Sequence, residues 1–191
     1  MNSHFFAYVS RMRYIPRWAL MRNSFSENVQ EHSHQVAVLA HALAVIRNRF
    51  YGGSVDTGAV TVAALYHDAT EILTGDMPTP IKYYNPEIKN SYRKVERVAA
   101  DKLISLLPPE LQADYRPILR DVDPEVHRIV KAADKLSAYI KCVEELKAGN
   151  LEFKRAAEQT YHALADMRLP ELDWFMAHCL DSFSMTLDEL E

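Results

Sequence analysis

Apolar residues recur every three or four positions along most of the chain, which is the period of one face of an α-helix. The clearest run covers residues 27–50, and His32 lies on its apolar stripe. The other members of the stripe are Val29, Val36, Leu39, Leu43, Ile46 and Phe50. A second run follows Asp56, a residue type that caps helices, and continues through His67 to Glu71. These two runs predict two consecutive amphipathic helices.

Two further helix starts are marked by an Asn or Asp followed by proline, at residues 85–87 and 123–125. Proline fits the first helical turn because the N–H that it lacks has no helical partner there. Pro108-Pro109 is predicted to end the first of these helices, and Gly149-Asn150 the second.

The segment at residues 74–80 contains two prolines and a glycine, so it is predicted to be an ordered loop. Two more helices are expected at residues 152–167 and at about 170–180. No alternating apolar-polar run is long enough for a strand. The pattern therefore predicts an all-α chain, with one domain over residues 1–191.

Composition narrows the functional classes. The 191 residues carry a net charge of −4 and no Lys/Arg-rich block, which argues against a nucleic acid polymer as partner. Only 5 glycines are present, so no Gly-rich loop is available to bind phosphate. No stretch reaches the roughly 20 apolar residues of a membrane span. Arginines interrupt the apolar N-terminus and only Cys142 and Cys179 are present, so we expect a cytoplasmic protein without a disulfide framework or a membrane contact.

The candidate chemistry lies on three predicted helices. His32 lies on the apolar stripe of the first, His67-Asp68 lies near the end of the second, and Asp134 lies inside a third. Two imidazoles and two carboxylates suit a divalent ion such as Zn, Mn, Co or Fe. Spacing alone leaves a second interpretation open, in which these are hydrogen-bonded core residues without a metal.

The order His32, His67-Asp68, Asp134 matches the H…HD…D signature of the HD-domain superfamily of metal-dependent phosphohydrolases. The surrounding residues are more specific. They are Arg17-Trp18, Glu31-His32-Ser33, Tyr-His-Asp-Ala-Thr-Glu at 66–71, Thr-Gly-Asp-Met-Pro-Thr-Pro at 74–80 and Ala-Asp-Lys-Leu-Ser-Ala-Tyr at 133–139. Together they resemble the bacterial HD-domain 5'-deoxynucleotidases of the YfbR type, from Phe5 to about Leu187. Gln30 departs from the serine that is frequent in that family, and His34 replaces an aliphatic residue.

The resemblance implies an HD-domain helical bundle that removes the 5'-phosphate from deoxyribonucleoside monophosphates. It implies one divalent metal ion, such as Co²⁺ or Mn²⁺, held by His32, His67, Asp68 and Asp134. It also implies a homodimer.

The resemblance further implies roles around the metal. Glu71 would move a proton at the reacting oxygens, and Arg17 would bind the phosphate. Trp18 would crowd the position of a 2'-hydroxyl and so favour deoxyribose. The loop residues Asp76, Met77, Pro78 and Thr79 would close over the nucleotide, and Asp76 also counts among the catalytic residues. His32, Asp68 and Asp134 would contact the substrate as well as the metal.

Two alternatives remain open from the sequence. An HD phosphohydrolase could act on another nucleotide, such as a triphosphate, a cyclic nucleotide or a polyphosphate. Longer phosphate chains need more basic residues than Arg17 and Lys82 supply. A non-catalytic scaffold could instead use the metal only to hold helices together. Glu71 argues against that scaffold, since a structural metal site needs no carboxylate beside it.

Overall fold

The computed structural model describes residues 3–82 and 84–191, with the side chain of Thr79 outside the described part. Helices account for all the regular structure in these residues, which confirms the all-α prediction. The only β-type pairing among them is a single antiparallel bridge between Pro16 and Asn28. None of the helices in the described part is both long and apolar enough to cross a membrane.

The N-terminal region places a short helix ahead of a long one. Helix α1 is Phe5–Val9 and is followed by a 3-10 turn at Ser10–Tyr14. Helix α2 is Val29–Phe50, and it begins later than the predicted residue 27 because Asn28 has extended backbone angles. The Asn28 side chain accepts hydrogen bonds from two N–H groups of the first turn, and the Glu31 side chain accepts from Asn28 in return. This capping box fixes where α2 starts.

The second predicted helix is shorter than expected. Helix α3 is Thr57–Tyr66 with Asp56 as its N-cap, as predicted. It does not continue to Glu71, because the backbone tightens into i→i−3 hydrogen bonds at Ala69 and Glu71. The chain then forms α4 at Glu71–Thr74, which Gly75 ends with φ of 73°. His67 is therefore the C-cap of α3.

The expected loop at residues 74–80 is partly helical, since Thr79–Lys82 forms the single turn α5. Helix α6, Pro86–Ser105, begins at the Asn85 cap as predicted. Helix α6 ends three residues before Pro108. Pro109 then starts helix α7, Pro109–Leu119, which was not predicted. The pair Pro108-Pro109 was interpreted only as a stop signal, although proline at the first helical position is equally a start signal.

The C-terminal half follows the predicted boundaries closely. Helix α8 is Pro124–Lys147, capped by Asp123 and followed by Gly149 with φ of 83°. A 3-10 turn at Leu151–Phe153 leads into α9, Lys154–Ala165. Helix α10 is Pro170–His178, and further 3-10 turns follow at Leu180–Ser184 and Leu187–Glu189.

The main hydrophobic core lies between α2, α3, α8 and α10. Its fully buried members include Leu43 on α2, Val60 on α3 and Leu136 on α8, and Leu172 of α10 is nearly so. Because α2 packs against both α3 and α8, residues on its inner face meet residues from two other helices. That arrangement fixes the relative positions of the candidate ligands.

Candidate active site

Three helices bring four candidate ligands together. His32 extends from α2, His67 and Asp68 lie at the end of α3, and Asp134 lies inside α8. One donor atom from each lies within 4.8 Å of all the others. Nε2 of His32 lies 3.1 Å from Oδ1 of Asp134, and Nε2 of His67 lies 3.1 Å from Oδ2 of Asp68. The four residues thus form one compact group, although they are spread over more than 100 positions.

Both imidazoles are oriented by a hydrogen bond at the nitrogen that faces away from the group. Nδ1 of His67 donates to the Ala64 carbonyl at 2.7 Å. Nδ1 of His32 lies 3.1 Å from the Ser137 hydroxyl, which itself donates to Oε1 of Gln35 at 2.7 Å. Because the hydroxyl proton is donated to Gln35, the Ser137 oxygen accepts the N–H of His32. With Nδ1 as the donor, the Nε2 atom of each neutral imidazole keeps a lone pair for a cation, which is the usual arrangement of metal-bound histidines.

Ser137 and Gln35 were not predicted as site residues. Ser137 lies three residues after Asp134 on α8, and Gln35 lies three residues after His32 on α2. The i,i+3 spacing places each on the same helix face as a candidate ligand. That spacing was the signal that could have identified them.

The donor set suits a divalent cation. Nε2 of His67 is buried and has no hydrogen-bond partner among the described residues, although Oδ2 of Asp68 lies 3.1 Å away. Two imidazole nitrogens and two carboxylates are ligands that bind first-row divalent metals, and the two negative charges balance such an ion. These four residues could therefore hold a divalent metal ion.

The pKa values of the candidate ligands also favour a positive charge within the group. Burial opposes ionisation of Asp68, but the His67 imidazole holds the pKa of Asp68 well below its usual range. The pKa of Asp134 is likewise low, because the neighbouring imidazoles of His32 and His67 outweigh burial. Burial also opposes a charge on His67, yet the negative charge of Asp68 and the nearby Asp134 carboxylate raise the pKa of His67 to about 10. Protons compete with any metal for this imidazole.

Glu71 is a buried carboxyl group close to the four candidate ligands. It is 6% exposed, and its Oε2 atom has no hydrogen-bond partner among the described residues. Burial and the negative charges of Asp68 and Asp76 raise the pKa of Glu71 to about 9. The backbone from His67 to Glu71 is a series of tight turns rather than the expected helix. Glu71 is nevertheless poised to hold a proton near the ligands.

Arg17 and Trp18 belong to a segment at residues 15–28 that we term the arm. The arm closes on itself, since Val29 N donates to the Ile15 carbonyl and Arg17 N donates to the Glu27 carbonyl. Arg17 Nη1 lies 3.5 Å from Oδ2 of Asp68, which links the arm to the ligand group. Trp18 has φ of 57° and packs its ring against Phe153, at 5.3 Å between centroids.

A buried ion pair on α8 anchors the far end of the arm. Lys141 Nζ donates to Glu145 and to the Phe25 carbonyl, and it lies over the Phe25 ring. The Ser24 N–H donates to both oxygens of Glu145, and Asn150 donates to one of them. Lys141 and Glu145 are both essentially unexposed. This pair was not predicted, because in the sequence its i,i+4 spacing is the same as that of ion pairs on the exposed face of a helix.

Lys141→Met is expected to destabilise the protein by roughly 3–5 kcal/mol at pH 7, because it leaves the Glu145 carboxylate buried without its cation. Burial raises the pKa of Glu145, but hydrogen bonds from Lys141, Asn150 and Ser24 outweigh burial and hold it at about 2. The stabilisation is therefore present above about pH 4.5 and is lost as the pH falls toward 2. Urea unfolding at pH 7 and pH 3 measures both effects, with exposed Lys154→Met as control. Equal unfolding midpoints for parent and Lys141→Met at pH 7 would contradict the assignment.

The loop after α4 contains the remaining predicted site residues. Asp76, Met77 and Pro78 are half-buried, and the side chain of Thr79 lies outside the described part. Burial raises the pKa of Asp76, with Arg17 opposing this effect. Lys82 is paired with Glu96 at 2.8 Å. Tyr83 also lies outside the described residues, and the adjacent Tyr84 is exposed.

The chain has close relatives among known proteins. The family model of YfbR-like 5'-deoxynucleotidases matches residues 4–183. The chain belongs to this family. It is 54% identical to the 5'-deoxynucleotidase of Pectobacterium atrosepticum, over 99% of this chain and 96% of the relative. It is 52% identical to the 5'-deoxynucleotidase of Vibrio vulnificus, over 99% and 98% of the two chains.

Solved structures share the fold of this family member at lower sequence identity. An HD-domain phosphohydrolase from Listeria innocua superposes with a TM-score of 0.82 at 24% identity, covering 94% of this chain and 88% of the other. The cyanophage S-2L HD phosphohydrolase, bound to dA and one catalytic Zn²⁺ ion, gives a TM-score of 0.60 at 22% identity. That match covers 92% of this chain and 96% of the phage chain. The helical fold is therefore that of HD-domain phosphohydrolases, as the sequence predicts.

Proposed function

We propose that this protein hydrolyses deoxyribonucleoside 5'-monophosphates to a deoxynucleoside and phosphate. The main support is the group of four candidate ligands, which has Arg17 and Glu71 close to it. The chain is also more than half identical to proteins named 5'-deoxynucleotidase. A scaffold that binds metal only for stability does not need a buried carboxyl group such as Glu71, whose Oε2 atom has no hydrogen-bond partner among the described residues.

The ligands of the proposed metal are His32, His67, Asp68 and Asp134. A divalent ion in this position supplies Lewis acidity and makes a water molecule more acidic. We propose Co²⁺, Mn²⁺ or a similar ion, because the group offers imidazole and carboxylate donors without a thiolate. The one catalytic Zn²⁺ ion of the structurally similar phage protein supports a divalent ion. His32, Asp68 and Asp134 also border the position proposed for the phosphate.

Arg17 is proposed to bind the substrate phosphate. Its guanidinium lies between Glu27 and Asp68, so one end is fixed while the rest faces the ligand group. A guanidinium there neutralises phosphate charge and can donate two parallel hydrogen bonds. Glu71 is proposed to move a proton at the reacting oxygens, for which its raised pKa suits it.

The nucleotide is proposed to lie between Trp18 and the loop of Asp76, Met77, Pro78 and Thr79. The half-burial of the first three loop residues supports a cover over the ligand group. Asp76 is also proposed to assist catalysis, since its pKa reflects the nearby charges of Arg17 and Asp68. A monophosphate is favoured over a triphosphate because Lys82 is already committed to Glu96.

Trp18→Ala is expected to reduce the preference for deoxyribose, because the indole ring is proposed to crowd a 2'-hydroxyl. The ratio of kcat/KM for dAMP to that for AMP should fall by about tenfold or more, the scale of one steric contact in a pocket. Steady-state phosphate release measures both values. Trp174→Phe is the matched control, since Trp174 packs against the core between Phe50 and His178. An unchanged ratio in Trp18→Ala would place sugar selectivity elsewhere.

We also propose a cytoplasmic homodimer formed by single-domain chains of residues 1–191. Both cysteines are free, which suits a reducing compartment. Exposed Val38 and Val45 on α2 and Val62 and Leu65 on α3 offer apolar surface that a dimer would bury. Light scattering should give twice the chain mass of 21.9 kDa, and a monomeric mass at micromolar concentration would contradict the dimer.

A further inference from the structure

One carboxylate oxygen joins the two arm residues proposed to contact the substrate. Oε2 of Glu27 accepts a hydrogen bond from Arg17 Nε at 3.0 Å and from Trp18 Nε1 at 3.1 Å. The Glu27 side chain is 10% exposed and that of Arg17 is 12% exposed, so both are largely removed from water. A hydrogen bond to an ionised acceptor in such surroundings is stronger than a neutral one.

The backbone determines where Glu27 lies. The Glu27 carbonyl accepts a hydrogen bond from Arg17 N at 2.9 Å, and the next residue, Asn28, forms an antiparallel bridge with Pro16. Asn28 is also the N-cap of α2. Glu27 is therefore held directly opposite Arg17, at the rigid start of the helix that carries His32.

Glu27 supplies the hydrogen bonds that orient the two side chains it binds. Arg17 has one further ion pair, to Asp68 at 3.5 Å, which is long for a hydrogen bond. Trp18 has a left-handed backbone, which is unfavourable for a bulky residue, and its ring packs on the small apolar cluster around Phe153, a contact that does not fix the direction of its N–H. Loss of the Glu27 carboxylate would free both side chains to adopt other rotamers.

We propose that Glu27 is a positioning residue that couples phosphate binding to sugar selectivity. By fixing Arg17 and Trp18 through the same oxygen, it sets the distance between the group that binds phosphate and the ring that faces the sugar. The inference rests on the proposed function, because it takes the roles of Arg17 and Trp18 from there. Glu27 itself need not touch the substrate.

The path of the arm does not depend on Glu27 alone. Glu145 holds Ser24, Asn150 donates to the Arg22 carbonyl, and Glu152 pairs with Arg22. These contacts anchor the far end of the arm without reaching Arg17 or Trp18. Removing the Glu27 side chain should therefore change side-chain positions more than the course of the backbone.

The kinetic test compares the parent with Glu27→Ala and Glu27→Gln, using dAMP and AMP with Co²⁺ present. In Glu27→Ala the dAMP/AMP ratio of kcat/KM should fall by about tenfold, and KM for dAMP should rise by a similar factor, as expected for loss of a charge-assisted hydrogen bond. Glu27→Gln should retain much of the ratio, because an amide oxygen can still accept from both donors. The control Glu152→Gln removes a carboxylate of the 3-10 turn before α9 that pairs with Arg22 of the arm, and it should behave as the parent.

A double variant distinguishes positioning from a general loss of structure. If Glu27 acts on selectivity through Trp18, adding Glu27→Ala to Trp18→Ala should not lower the dAMP/AMP ratio further. An additional tenfold decrease in the double variant would overturn the proposal.

A second readout needs neither metal nor turnover. The chain has 2 tryptophans, so a ¹H–¹⁵N spectrum contains two indole N–H signals, which Trp18→Phe assigns. The Trp18 signal should shift upfield in Glu27→Ala and less so in Glu27→Gln, while the Trp174 signal stays in place. Inorganic phosphate should bind Glu27→Ala about tenfold more weakly than the parent, because Arg17 is no longer oriented.

The outcomes separate this inference from the proposed function. A parent that does not release phosphate from dAMP would refute the function, whereas the indole and phosphate-binding results would still decide the role of Glu27. An unshifted Trp18 signal in Glu27→Ala, or an unchanged affinity for phosphate, would overturn the positioning role. If Glu27→Ala does not fold, Glu27→Leu decides it, because leucine also lacks an acceptor and an unshifted Trp18 signal there would have the same meaning.

Discussion

Asp68→Ala is expected to abolish phosphate release from dAMP, with kcat/KM at least about 10³-fold below the parent because the metal and its charge stabilisation are lost. Asp68 is central to the proposed site. Its Oδ2 atom lies 3.1 Å from His67 Nε2, 3.7 Å from His32 Nε2 and 3.5 Å from Arg17. Alanine removes one donor and half of the balancing negative charge. Metal affinity should fall by more than about 100-fold, since outer-shell changes alone cost 10–100-fold.

Isothermal titration with Co²⁺ and phosphate release from dAMP measure the two effects on one protein preparation. Asp56→Ala is the matched control, because Asp56 is an exposed cap of the same helix, α3. It should cost about 1 kcal/mol of stability, as lost N-caps do, and leave the metal affinity unchanged. Parental metal affinity and turnover in Asp68→Ala would remove the basis of the hydrolase assignment.

Glu71→Gln is expected to lower kcat for dAMP by about 10²–10³-fold, the usual contribution of a positioned acid or base. Glutamine keeps the size of the side chain but cannot exchange a proton. Glu71 is buried, its Oε2 atom lacks a partner, and it is not one of the four clustered donors. Co²⁺ affinity should therefore remain within a few-fold of the parent, in contrast to Asp68→Ala.

The comparison of kcat with metal affinity separates a catalytic role from a structural one. Glu31→Gln serves as control, since Glu31 is exposed and its carboxylate accepts a hydrogen bond from Asn28 N at the start of α2. A scaffold that binds metal only for stability would show no turnover in the parent and no consequence of the Glu71 change. Undiminished kcat in Glu71→Gln would show that another group transfers the proton.

Local sequence signals predicted most helix boundaries because those boundaries depend on neighbouring residues. Asp56, Asn85 and Asp123 each cap the helix that follows them, as expected from their side chains. The turns between His67 and Glu71 were not predicted, because apolar spacing continues across them while the hydrogen bonding changes. Helix α7 was missed for a similar reason, since its start signal was interpreted as the end of the helix before it.

The candidate ligands could be proposed from sequence because each lies on or directly after a recognisable helix and because their order resembles a known family. Their supports depend on contacts between distant parts of the chain. Ser137 reaches His32 across 105 positions, and Lys141 reaches Phe25 across 116. Glu27 lies ten positions from Arg17, but only the bridge at Pro16 and Asn28 places them opposite each other. Helical periodicity carries no information about such pairs.

The most direct test of the proposed function is phosphate release from dAMP and AMP by metal-free protein, before and after addition of Co²⁺ or Mn²⁺. The account predicts no release without metal, restoration by added metal, and a kcat/KM for dAMP at least about tenfold above that for AMP, the scale expected of one steric contact at the sugar. Equal release from the two nucleotides would contradict the assigned selectivity. Release that is independent of metal would contradict the site built from His32, His67, Asp68 and Asp134.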